Sequence, residues 1–156
     1  MKVNLLNDQN TLRSDAMNID PFADPSDPSK TFGGFENLDL HVDDGEVNEL
    51  FAHDIVDYLQ KRDLEPIIDG WVRKLALNGR ITIGGVDIHE LSKGTINGVI
   101  DIAAINELLY EDHRHKQRKS VFSISNMVDL LQKRGLKILH KRLNGFRYVV
   151  VAERVQ

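Results

Sequence analysis

Three places in this chain carry residue types able to do chemistry. The first is His53-Asp54, which follows the run Val47-Asn48-Glu49-Leu50-Phe51 after Ala52. Histidine titrates near neutrality, so His53 at the end of a strand can transfer a proton or orient a donor. The second is Gly84-Gly85-Val86-Asp87-Ile88-His89, where two glycines open the backbone ahead of an acid and an imidazole. Asp87 and His89 can position a hydroxyl or amine group, with His89 as the base. The third is the segment Glu111 to Lys119, with His113, Arg114, His115, Lys116, Arg118 and Lys119. Such a patch suits a phosphorylated sugar, nucleic acid or an acidic protein surface; it equally suits an exposed, solubilising loop. The spacing of His53, Asp87 and His89 is also compatible with a metal site, but two histidines on unrelated loops are a weak signal, and no metal is expected.

The elements around these residues set where they can meet. Val47 to Phe51 reads as a strand. A helix follows with the apolar stripe Leu64, Ile67, Ile68, Trp71, Val72 and Leu75, and Asn78-Gly79 leads into the strand Arg80 to Ile83. This is a strand–helix–strand crossover of the kind that builds parallel sheets, whose ligands sit at the carboxyl ends of the strands. Asp54 reads as the cap of a helix beginning at Ile55, Asp57 and Tyr58 as a solvated helical face, and Trp71 as core. Lys2 to Leu6 and Met17 to Asp20 are short strands, and Asn4 either faces a pocket or is a polar residue on a marginal edge. Residues 21–34, rich in Pro, Gly and Asp, form a surface loop, and Glu36 to Leu40 return as a strand.

Ile96 to Tyr110 carry Ile96, Val99, Ile100, Ala103, Ala104 and Leu108 at helical spacing. Ser123 is an N-cap for a helix with Met127, Leu130 and Leu131 on one face and Gly135 as its stop. Leu136 to Lys141 and Phe146 to Ala152 are strands joined through Leu143-Asn144-Gly145, a hairpin signal. The expected fold class is α/β: one domain over 1–156, doubly wound and Rossmann-like, with a mostly parallel sheet and a C-terminal antiparallel hairpin.

Composition bounds the function. The 156 residues include no cysteine and carry a net charge of -4. Thiolate chemistry and disulfides are thereby excluded, and a broad nucleic-acid footprint is not favoured. No apolar run is long enough to cross a bilayer, and the start of the chain has no hydrophobic signal core, so the expected compartment is the cytoplasm.

These elements together resemble a small class I S-adenosylmethionine-dependent methyltransferase domain, of the compact group found among polysaccharide-associated and phage-encoded enzymes. Asn18-Ile19-Asp20 resembles the family's Asn-Val-Asp, whose acid holds the cofactor ribose. The fourth family strand and its loop resemble Val47 to Asp57, and the Trp-containing helix with its Leu-Lys-Pro-Gly-Gly turn resembles Trp71 to Arg80. Val86-Asp87 stands where the family often has Pro-Asp, and Phe122-Ser123 resembles the start of its closing helix and hairpin. The departure is at the glycine-rich first turn, where this chain reads Asn4-Leu5-Leu6-Asn7-Asp8-Gln9-Asn10. Glycines there permit positive φ and close backbone approach to a cofactor.

The resemblance implies S-adenosylmethionine as cofactor, with Asn4, Leu6, Asp20 and His53 around it, and His53, Asp87 and His89 as catalytic candidates. The acceptor would be a small molecule or saccharide. The alternative is a catalytically inactive domain of the same fold, with Leu6 filling the former pocket, that binds a protein partner or assembles as a homo-oligomer.

Overall fold

The computed structural model describes residues 1–7, 12–24, 26, 38–110 and 117–156. Asp8 to Asn10 of the glycine-free turn, most of the 21–34 loop, Glu36 and residues 111–116 of the basic segment lie outside the described residues.

Six strands form one sheet in the order β2-β1-β3-β4-β6-β5. They are β1 (Lys2–Leu5), β2 (Met17–Ile19), β3 (Val47–His53), β4 (Leu75–Val86), β5 (Leu136–Asn144) and β6 (Arg147–Arg154). β2, β1, β3 and β4 run parallel, and β6 is antiparallel to both β4 and β5. The chain winds outward from the centre both ways, to β2 on one side and to β4 on the other. This is the expected mixed Rossmann-like sheet closed by a C-terminal hairpin.

Strand periodicity decides which side chains meet the core. Leu50 and Ala52 of β3, Ile81 and Ile83 of β4, and Val150 and Ala152 of β6 are fully buried. They lie in one core cluster with Leu64, Ile67, Ile68 and Trp71 of α1 (Lys61–Lys74) and Met127 and Leu131 of α4 (Ile124–Gln132). The intervening Phe51, Thr82, Val149 and Val151 point to the other face and are half-buried.

Several local expectations change in the folded chain. Leu38–Leu40 is a 3₁₀ turn, not a strand, with Leu38 buried in the core. Asn78-Gly79 does not join helix to strand; β4 already begins at Leu75, and the dipeptide forms a bulge inside it. Val47 pairs with Leu75 and Glu49 with Arg80, so residues 76–79 are looped out. Asn78 takes φ 63°, and a Cβ at Gly79 would stand 2.6 Å from the Val47 carbonyl oxygen. The single helix expected over Ile96 to Tyr110 is instead the end of α2 (Ile88–Ile96) and a separate α3 (Ile102–Tyr110). Gly98 at φ 68° turns the chain between them.

The remaining punctuation works as read. Ser123 caps α4 in a reciprocal capping box with Asn126, and Gly135 has φ 76° after the helix. The hairpin turn is Gly145-Phe146, one residue later than the Asn-Gly reading, because Asn144 pairs with Arg147. Only Gly145 of the two takes positive φ, the pattern of a turn that matches strand twist.

Candidate functional site

The winding direction reverses between β1 and β3, and in open α/β sheets ligands bind at the carboxyl ends of the strands at such a point. Leu6 and Asn7 follow β1, Asp20 follows β2, His53 ends β3, and Gly84 lies opposite His53 on β4. The parallel register puts all of them at one end of the sheet.

His53 lies in van der Waals reach of bare backbone. A Cβ on Gly84 would come within 3.1 Å of His53 Nδ1, so glycine at 84 leaves the ring its place. Partial burial pushes the His53 pKa below its ordinary 6.5; the Asp54 charge opposes this, and Arg13 and Arg142 reinforce it. The imidazole is therefore neutral at pH 7 and able to accept a proton. Phe51 shares this face of β3, and the Arg13 guanidinium stacks 3.9 Å from its ring centroid.

Asp54 does not cap a helix. It has φ 54°, donates its N–H to the Gly84 carbonyl over 2.9 Å and is ion-paired with Arg147. Ile55 takes the cap position of a 3₁₀ turn over Val56–Tyr58, without a side-chain cap, and α1 starts only at Lys61.

The residues assigned to a cofactor are near one another but deep. Asn4 is 3% exposed, Leu6 6% and Asp20 3%. Asp20 Oδ1 accepts the Phe22 N–H at 3.0 Å, which turns the chain at Pro21. Asn4 Nδ2 donates to Asn18 Oδ1 at 2.9 Å. Asn18 also accepts the Arg13 N–H at 3.0 Å and donates to the Arg13 and Ala16 carbonyls. It thus holds the β1–β2 connection against the sheet. Sequence reading gave Asn18 no such role; its signal was a second polar residue opposite Asn4 in paired strands.

Asp87 and His89 separate. Asp87 is 1% exposed, with Oδ1 accepting the Glu90 N–H at 2.9 Å and Oδ2 the Ile124 N–H at 2.7 Å. One carboxylate therefore ties down the starts of both α2 and α4. His89 is exposed on α2.

Asp57 is fully buried, against the solvated reading. Its Oδ2 accepts the Val86 N–H at 3.0 Å and faces Arg118 Nε at 3.4 Å. Its carbonyl takes the N–H groups of Lys119 and Ser120, which fastens the end of the basic segment to the domain. Burial pushes its pKa up to about 6, against the pull of the Val86 hydrogen bond and the Arg118 charge. Asp57 Oδ1 and the neighbouring Tyr148 hydroxyl are buried with no hydrogen-bond partner among the described residues. The sequence signal was a lone acid inside the apolar run Ile55-Val56-Asp57-Tyr58-Leu59.

Among the described residues no cluster of three or more His, Asp or Glu is arranged to hold a metal ion, and no helix is long and apolar enough to cross a membrane.

Sequence comparison finds no matching family model and no matching curated protein. Solved structures do match. A chain from the complex of the Haloferax volcanii Trm112 methyltransferase activator with a candidate methyltransferase superposes at TM-score 0.63 with 11% identity, over 99% of this chain and 81% of that one. The Burkholderia thailandensis 1,6-didemethyltoxoflavin-N1-methyltransferase, with S-adenosylhomocysteine bound, gives TM-score 0.59 at 13% identity over 89% of this chain. An O-methyltransferase family protein of the same organism gives TM-score 0.50 at 12% identity over 70% of this chain. The chain spans 60% of the length of the first Burkholderia protein and 31% of the second. At these identities the shared feature is the fold, a class I methyltransferase-like Rossmann sheet.

Proposed function

We propose that this domain binds S-adenosylmethionine in the crevice between β1 and β3 and directs its methyl group to a hydroxyl or amine of a small molecule or saccharide. The observation that carries the reading is the placement of Asp20 and His53. They lie at the ends of β2 and β3, on either side of the point where a methyltransferase-ordered sheet reverses its winding. In this reading the nucleoside end of the ligand lies against these residues. Asp20 is held by its own turn as an acceptor for ribose hydroxyls, and Asn4 and Leu6 form the floor. Bound there, the sulfonium supplies an electrophilic methyl group whose transfer needs alignment more than side-chain chemistry. His53, neutral at pH 7, takes the proton of the acceptor, and Gly84 leaves room for it.

A second reading, a non-catalytic module that binds a protein partner, is favoured by the methionine end of the crevice. No glycine occurs in Asn4 to Asn10, and Leu6 is buried where a cofactor-accommodating turn would open. Calorimetric titration with S-adenosylmethionine and S-adenosylhomocysteine separates the two. The methyltransferase reading expects micromolar binding that weakens at least about tenfold in Asp20→Asn, which keeps an oxygen for the Phe22 turn but removes the charge. Folded protein that takes up neither ligand at millimolar concentration overturns it in favour of the module.

A further inference from the structure

We infer that the domain has a second ligand site, on its helical face, for a small amphipathic anion: a compact apolar body carrying a carboxylate or sulfonate. A groove of about 470 Å³ runs between the first turn of α1, the segment 119–122 and the exposed flank of α4. That volume falls within the range of small-molecule sites. The groove lies on the side of the sheet covered by α1 and α4, whereas Asn4, Phe51 and His53 belong to the opposite face.

The groove has a divided surface. Its floor is apolar, built by Leu64, Phe122, Met127 and Leu130, and its rim carries Lys61, Lys119 and Lys133. None of the three lysines makes an ion pair among the described residues, although most other described lysines and arginines do. The two rim acids offset them only partly. Glu65 is already engaged by Arg134 at 3.2 Å, which leaves Asp129 against three ammonium groups. In a chain of net charge -4 this is a local reversal of sign. The first turn of α1 forms one wall, and no side chain caps it, so the positive end of that helix adds to the same field.

The occupant follows from this division. A fully apolar ligand would leave the lysines uncompensated, and a simple inorganic anion would leave the floor uncovered. An apolar group on the floor with an anionic head among the ammonium groups meets both demands. The groove exposes about two helical turns of α4, which suits a small molecule.

Titration of isotope-labelled protein with naphthalene-1-sulfonate, followed by amide chemical shifts, tests the assignment. The expected result is saturable binding below millimolar concentration, with shifts concentrated at residues 61–65, 119–122 and 126–133. Uncharged 1-naphthalenemethanol should bind at least tenfold more weakly, and Lys119→Gln combined with Lys133→Gln should remove that difference. Equal binding of the neutral probe overturns the anion assignment. Shifts centred outside the groove, or no saturation by the sulfonate, overturn the site. The lysines are exposed, so their replacement leaves the fold intact, and the two-probe comparison needs no variant.

Discussion

Replacing Asp57 by Asn should make the variant's stability relative to the native protein rise with pH. Asp57 is fully buried, and its pKa stands at about 6 against an ordinary 3.8. A carboxyl group whose folded pKa lies above its unfolded value binds more protons in the folded state. Its contribution is therefore fully favourable at low pH and is lost as pH rises from the unfolded pKa through the folded one. The whole loss amounts to roughly 3 kcal/mol, of which about 2 kcal/mol falls between pH 4.5 and 7.5. Asn at 57 keeps an oxygen for the Val86 N–H but does not ionise. The attraction of Arg118 for the ionised carboxylate is already contained in the pKa of about 6, so its loss in the variant adds no separate slope. Urea unfolding followed by the fluorescence of Trp71, the only tryptophan and 1% exposed, measures both proteins across this range. The native curve should fall against the variant's by about 2 kcal/mol over that window. A constant difference, or one that moves the other way, would refute the reasoning; it would mean that Arg118 and the Val86 amide outweigh the burial of the carboxylate.

Two further outcomes rest on the same unfolding assay. Asp87→Ala removes the N-cap of α2 and leaves the Glu90 amide, and the Ile124 amide at the start of α4, without their acceptor, so a loss of about 2–3 kcal/mol is expected. A loss no larger than that of a surface substitution would mean that the two helix starts find other partners. Gly79→Ala places a methyl group 2.6 Å from the Val47 carbonyl oxygen inside the sheet, at an expected cost of about 2–3 kcal/mol. Gly70→Ala, in α1 with nothing within 4 Å, should instead gain about 0.5–1 kcal/mol. Similar effects for both would show that β4 shifts to absorb the methyl group.

The parts of the fold that depend on local pattern were legible in the chain itself. The stripe Leu64, Ile67, Ile68, Trp71 fixes the buried face of α1, because helical periodicity places those residues on one side wherever the helix packs. Ser123 and Gly135 bound α4 through backbone demands that only nearby residues meet. Val47 to Phe51 and the final hairpin read as strands from their alternation, and the crossover between β3 and β4 pointed to the end of the sheet where His53 stands. What a residue's polar atoms do after folding was not legible. Asp57 reads in sequence as a solvated acid and Asp87 as a catalytic candidate, yet both are buried by segments far along the chain: Arg118 and Val86 around one, Ile124 beside the other. Asn78-Gly79 carries the same turn signal whether it joins two elements or bulges inside one, and the pairing of Val47 with Leu75 made it a bulge. Periodicity and capping act over a few residues and travel with the sequence. Burial, charge pairing and the groove between α1 and α4 arise from contacts between distant segments, and only the folded chain brings those together.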